Sequence, residues 1–150
     1  MLQLLWKIKN KLLQLFSFKT VGARALLIQE EKILLVKHTY HRHWYIVGGT
    51  VDKGESTLET LRRELQEEVG AILLETPQLL GVYHNTYEKR DDYVAVYVAK
   101  HFKIETQEKL SPEIAEIKWF LLNALPTDIS PGSQRRITEY LEMKIPSDKW

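Results

Sequence analysis

Glu64, Glu67 and Glu68 fall within little more than one helical turn, directly after a glycine-rich stretch that runs from Gly48 to Gly54. At about 100° per residue the three carboxylates span an arc of roughly 100°, with Glu64 and Glu68 about 40° apart. Leu58, Leu61, Leu65 and Val69 share the adjoining arc, so one face packs while its neighbour concentrates negative charge. Like charges at i,i+4 destabilise an isolated helix, and a helix that keeps them beside a buried stripe needs something positive nearby. Hard oxygen ligands suit Mg²⁺ or Mn²⁺, which bridge carboxylates to substrate phosphates. The alternative for such a cluster is a solvated acidic face.

Local signals mark the elements that position these glutamates. Ser56 with Glu59 three residues on forms a capping box that starts the helix, and Gly70 offers the left-handed residue that stops it. Upstream, VGARALLI, the polar reversal Gln29-Glu30-Glu31-Lys32 and ILLVKH read as a β-hairpin, followed by a strand over 44–47 and a loop over 48–54. Downstream, 78–87 and 93–103 read as two long strands joined by the charged turn 88–92, and 117–121 as another after the acid-bearing loop Leu110-Ser111-Pro112-Glu113. A final helix over 133–144 turns Ile137, Tyr140 and Leu141 inward. Strands interleaved with two substantial helices suit an α/β domain with a mixed sheet between helical layers.

A chain of 150 residues with 44% hydrophobic content suits one well-cored domain, here 20–150. It has no cysteine, which excludes disulfides, thiolate metal sites and cysteine nucleophiles, and the net charge of +1 argues against long nucleic acid as a partner. Residues 1–19 hold Lys7, Lys9, Lys11 and Lys19 and no acid. Leu2, Leu5, Trp6, Ile8, Leu12, Leu13, Leu15 and Phe16 stand among them at spacings of an amphipathic helix. Such an arm suits packing on its own domain, a homodimer, or weak contact with a membrane surface. The lysines interrupt any signal-peptide core, which makes the cytoplasm the default expectation.

With Gly49, Glu55, Arg63, Glu64, Leu65, Glu67, Glu68, Val69 and Gly70 in place, residues 49–71 resemble the box of the Nudix hydrolase family. Ala71 stands where a larger aliphatic residue is usual, and Val47 replaces the common proline of the preceding Trp44-Tyr45-Ile46-Val47-Gly48-Gly49. The resemblance implies an α/β/α sandwich with a mixed β-sheet, to which residues 1–19 add a helix. It further implies Mg²⁺-dependent (or Mn²⁺-dependent) hydrolysis of a diphosphate linkage in a small nucleoside diphosphate derivative: ADP-ribose, a nucleotide sugar or a nucleoside triphosphate. The alternative is a nucleotide-binding sensor of the same fold that does not hydrolyse.

On this resemblance Glu64 and Glu68 ligate metal, Glu67 ligates or positions a water, and the carbonyl of Gly48 or Gly49 completes the sphere. Glu55 and Arg63 support the carboxylates, and Glu113 is preferred over Glu116 as a further catalytic carboxylate. For substrate contact the candidates are Arg24, whose place in an apolar strand demands a partner, and the rings of Tyr45 and Tyr83, with His84 and Tyr87 behind them. His38, His41 and His43 read as a solvated loop more readily than as a metal cluster.

Overall fold

The computed structural model of the chain describes residues 2–15, 19–87, 91–106 and 111–150. Of the expected features, Phe16, residues 88–90 of the charged turn, Leu110 and the side chains of Leu2, Leu13 and Leu15 lie outside the described residues. Helix α1 spans Leu2–Leu15. Then follow β1 (Lys19–Gln29), β2 (Lys32–His38), β3 (Trp44–Tyr45), β4 (Val47–Thr50), α2 (Thr57–Val69), β5 (Ala71–Leu73), β6 (Gln78–Asn85), β7 (Asp91–Ala99), β8 (Phe102–Ile104), β9 (Ile114–Leu121) and α3 (Pro131–Leu141). Among the described residues no helix is long and apolar enough to cross a membrane.

Seven strands form a mixed sheet along the path β3-β2-β1-β7-β6, with β4 also on β1 and β9 also on β2. The β1–β7 pair is parallel, whereas β1–β2, β1–β4 and β6–β7 are antiparallel. The alternation of strand side chains divides the core in two. Ala23, Ala25 and Leu27 of β1 and Leu34 and Val36 of β2 pack with Leu61, Leu65 and Val69 of α2. Leu26, Ile28, Ile33 and Leu35 point the other way and meet Ile137 of α3. Because both faces are covered, β1 and β2 read as continuous apolar runs.

Several boundaries differ from the sequence reading. The stretch 44–47 breaks at Ile46, so that β3 pairs with β2 while β4 pairs with β1. Gly48 and Gly49 are therefore strand residues, in register with Arg24 and Ala23. Glycine disfavours strands on its own, but a buried β1 backbone needs a ladder partner on this side, and that requirement prevails. The stretch 93–103 ends as a strand at Ala99; β8 leaves it and pairs with β5, an element too short to show periodicity. Helix α3 starts at Pro131, whose fixed φ suits a first helical position, after the Ser130 cap.

Tyr83 requires a correction. It is fully buried in the α3-side cluster, and its hydroxyl donates to Glu139 at 2.9 Å. The Arg136 guanidinium lies 3.9 Å from the centre of its ring. No face of this ring is left for a substrate, and its role is to pack. Tyr83→Phe should lower the unfolding free energy by about 1 kcal/mol, the net worth of one hydrogen bond. Urea denaturation checks this; an unchanged midpoint would mean that Glu139 needs no help from the phenol.

Candidate active site

Helix α2 is held in register at both ends. Its N-terminus carries the full capping box, with Glu59 N–H donating to Ser56 Oγ at 3.2 Å and Ser56 N–H donating to Glu59 Oε2 at 2.8 Å. Its C-terminus closes on Gly70, left-handed at φ 68°. Leu61 and Leu65, both fully buried, seat the helix on β1 and β2, each worth about 1.5–3 kcal/mol of burial. This fixes the azimuth of Glu64, Glu67 and Glu68.

The close approach of β4 to α2 on one side and to β1 on the other is a glycine effect. A Cβ on Gly49 would stand 2.4 Å from Glu64 Cδ, and one on Gly48 would stand 2.1 Å from the Ala23 carbonyl oxygen. Gly48 also sits at φ 135°, a conformation that side chains avoid. The Gly48 N–H donates to Glu68 Oε2 at 3.1 Å. Arg24 Nη1 donates to the carbonyls of Ile46 at 3.2 Å and Gly48 at 3.3 Å. Thus the demand for an Arg24 partner is met by backbone, and one lone pair of the Gly48 carbonyl is engaged.

Arg63 makes a bidentate pair with Glu55, Nε to Oε1 at 2.8 Å and Nη2 to Oε2 at 2.9 Å. Its Nη1 donates to Glu64 Oε1 at 2.7 Å and reaches Glu67 Oε2 at 3.5 Å. Thr60 adds a hydrogen bond to Glu55 at 2.7 Å. The guanidinium therefore aims a carboxylate, and hydrogen bonds from Arg63 and Thr60 hold the Glu55 carboxyl down at about 2.

Burial grades the three glutamates. The Glu67 side chain is 58% exposed, Glu64 15% and Glu68 7%. Burial raises the Glu64 carboxyl even against the Arg63 pair. Burial pushes Glu68 up to about 8; the Gly48 N–H and Arg24 oppose the rise, and the charges of Glu64 and Glu113 add to it. Glu113, in the loop before β9, thus shares one electrostatic cluster with α2. A β-bulge between Lys37 and His38 sets the β2–β9 register here, and Tyr40 donates its hydroxyl to Glu113 Oε2 at 3.3 Å.

His38 was not expected here. Its buried Nδ1 stands 3.9 Å from Glu68 Oε1 and has no hydrogen-bond partner. Burial first, then Arg24 and His41, lowers its pKa to about 3, so the ring is neutral and the contact is not an ion pair. The available signal was the period of two: Leu34, Val36 and His38 share one face of β2, and the first two pack toward α2. Tyr45, half-buried, lies beside this ring with centroids 5.7 Å apart.

Among the described residues no three His, Asp or Glu side chains are already gathered as a ready metal cage. Arg63 and the Gly48 N–H hold Glu64 and Glu68 instead. The donor set nevertheless fits a hard cation. Carboxylates converge beside a backbone that only glycine allows so near, Glu68 is buried with one hydrogen bond, and a buried imidazole nitrogen beside it lacks a partner.

Fold and box together define a class. The NUDIX domain profile matches residues 18–141, and the chain belongs to that family of Nudix hydrolases. It is 28% identical over 105 residues to a Lactococcus lactis protein named "Probable DHNTP pyrophosphohydrolase", spanning 63% of that protein and 68% of this chain. It is 27% identical over 134 residues to an ADP-ribose pyrophosphatase of Methanocaldococcus jannaschii, covering 87% of this chain and 78% of the relative. A crystal structure of a MutT NUDIX hydrolase from Burkholderia pseudomallei superposes with a TM-score of 0.71 at 26% identity, covering 81% of this chain and 97% of that one.

The raised Glu68 pKa has a thermodynamic consequence. A folded value of about 8 above the ordinary 4.5 means that the folded state holds the proton more tightly. Its stabilising contribution is then complete below the unfolded value and is lost as pH rises through the folded one. A divalent cation needs the ionised form, so its stabilising effect grows over the same window. In thermal melts from about pH 5 to about pH 8, the chelator-treated protein should lose several degrees of Tm relative to Glu68→Gln, and Mg²⁺ should restore them. Parallel pH curves for the two proteins would refute the assignment.

Proposed function

We propose that the protein hydrolyses the diphosphate linkage of a small nucleoside diphosphate derivative with the help of Mg²⁺. The observation that carries this reading is Glu68, desolvated, held by a backbone N–H, and close to the charges of Glu64 and Glu113. In this reading Glu64, Glu67 and Glu68 would hold the cation with the Gly48 carbonyl. Mn²⁺ suits the same oxygens. The bound cation supplies charge neutralisation for the phosphate oxygens and a more acidic water.

The remaining work belongs to the protein. Arg63, fixed by Glu55, keeps Glu64 aimed at the β4 backbone. Glu113 stands close enough to Glu68 to raise its pKa and is oriented by Tyr40; it accepts the proton of the attacking water. Water's oxygen bonds to phosphorus as the bridging P–O bond breaks, and two phosphorylated products leave. Arg24 is anchored on the Ile46 and Gly48 carbonyls, and its charge supports the acidic wall that faces the substrate. ADP-ribose is the first substrate to try, because a relative aligned over 134 residues bears that name.

A panel of ADP-ribose, nucleotide sugars and nucleoside triphosphates with Mg²⁺, read by product chromatography, tests the proposal. On the substrate so found, Glu68→Gln should lower kcat by orders of magnitude. Glu113→Gln should lower it about 10²- to 10⁴-fold with KM little changed, as loss of a general base does. Nucleotide binding without any product across the panel would replace this reading with that of a sensor. Full turnover in Glu68→Gln would overturn the cation assignment.

A further inference from the structure

Helix α1 lies before the matched core of the domain, and Trp6 ties it down. The indole stacks on Tyr40 with centroids 5.3 Å apart and planes at 23°, and meets the edge of His41 at 4.8 Å. The aliphatic side chains do not follow it inward. Leu4, Leu5, Ile8 and Leu12 are between 47% and 61% exposed, so four large apolar groups of one short helix stay in water. Leaving them there is unfavourable unless something else covers them.

Helical geometry accounts for the exposure. At about 100° per residue Leu4, Leu5, Ile8 and Leu12 fall within an arc of roughly 100°, and Trp6 lies about 150° from the middle of that arc. Packing Trp6 on the domain therefore turns the apolar arc outward. Lys7 and Lys11 follow one border of the arc and Lys9 the other, and all three are exposed. The helix, LQLLWKIKNKLLQL, has no acidic residue. Because the whole chain has a net charge of only +1, these three lysines leave the rest of it net negative.

We propose that the outward face of α1 docks on the surface of an anionic phospholipid bilayer. Leu4, Leu5, Ile8 and Leu12 enter the boundary between headgroups and acyl chains, and Lys7, Lys9 and Lys11 reach lipid phosphates from both borders. An apolar arc rimmed by lysines suits a helix lying in the interface plane, because the lysine stems run along apolar surface while their ammonium groups stay with the headgroups. The helix has 14 residues, about 21 Å, against a hydrocarbon core of about 30 Å, so it lies on the bilayer and does not span it. A second copy of the chain is the poorer occupant, since two such faces would oppose their lysine rims with no acid in either helix to pair them. The net negative remainder also sets the orientation: an anionic surface attracts α1 and repels the body behind it. The inference is independent of the proposed hydrolysis and concerns where the protein works.

The test mixes the full chain with vesicles of equal parts phosphatidylglycerol and phosphatidylcholine and reads binding by co-sedimentation. Binding should be about 10-fold or more tighter than to pure phosphatidylcholine, and high salt should weaken it. Replacing Lys7, Lys9 and Lys11 together by Gln should lower the partition coefficient about 100-fold, the loss that three basic side chains near an anionic surface imply. Leu5→Gln combined with Ile8→Gln removes apolar area and no charge, and should lower it at least about 10-fold. All five side chains are exposed, so thermal melts of both variants should match the wild type and a loss of binding is not a loss of fold. Failure of the wild type to bind the anionic vesicles would overturn the proposal. So would binding that the Leu5 and Ile8 changes leave intact, because α1 would then be a basic patch and no more. Sedimentation velocity without lipid covers the other occupant: a dimer that the same two changes dissociate would assign the face to a second copy and reject the bilayer.

Discussion

A carboxylate has been taken out of water at Glu68 and given one backbone N–H in return. Burial with so little compensation disfavours the ionised form of this group, and most of the surrounding structure serves to impose that burial. The capped ends of α2 and the burial of Leu61 and Leu65 on β1 and β2 fix the helix against rotation. Gly49 lets β4 lie against it, Gly48 lets β4 lie against β1, and Arg63, itself held by Glu55, keeps Glu64 at the same place. If any of these relaxed, water would reach Glu68 and the reason for its raised pKa would vanish.

Much of this is legible in the sequence alone, because the signals are local. Capping chemistry, a stripe at helical spacing and a glycine stop define α2 within its own residues, and the carboxylate spacing follows from the helix. The parts misread depend on partners remote in sequence. Gly48 and Gly49 look like loop until β1 claims them for its ladder, and 93–103 looks like one strand until β5 draws Phe102–Ile104 away. Tyr83 illustrates the same limit. Where a sheet is covered on both faces, alternation tells which residues share a side and not which side holds the chemistry.

His38 shows the opposite error. A histidine among loop residues invites a solvated reading, but its position at the end of β2, in phase with Leu34 and Val36, already directs it toward α2. Strand phase therefore outranks the polarity of the neighbouring segment. Trp6 carried no comparable signal. Its spacing in α1 marks it as one apolar residue among many, and only the fold reveals that it stacks on rings while Leu4, Leu5, Ile8 and Leu12 stay exposed.

The two faces of the sheet also show how a buried carboxylate can be told to be a fastener or a working group. On the α3 side Glu139 is as buried as a charge can reasonably be, and it is fully engaged. Its Oε1 accepts from Arg136 at 2.9 Å and from Ser147 N–H at 3.2 Å, and its Oε2 accepts from Arg136 at 3.0 Å and from Tyr83 at 2.9 Å. Arg136 also bonds the Lys149 carbonyl and lies over Tyr83, so the cluster ties the end of the chain to the sheet. Every lone pair there has a partner, and there is nothing for a ligand to add. On the α2 side, among the described residues, the same residue type has one hydrogen bond, and the nearest imidazole nitrogen has none. A buried glutamate and a nearby Arg–Glu pair are common to both faces. What distinguishes them is the hydrogen-bonding capacity at Glu68 and His38 that no side chain among the described residues fills.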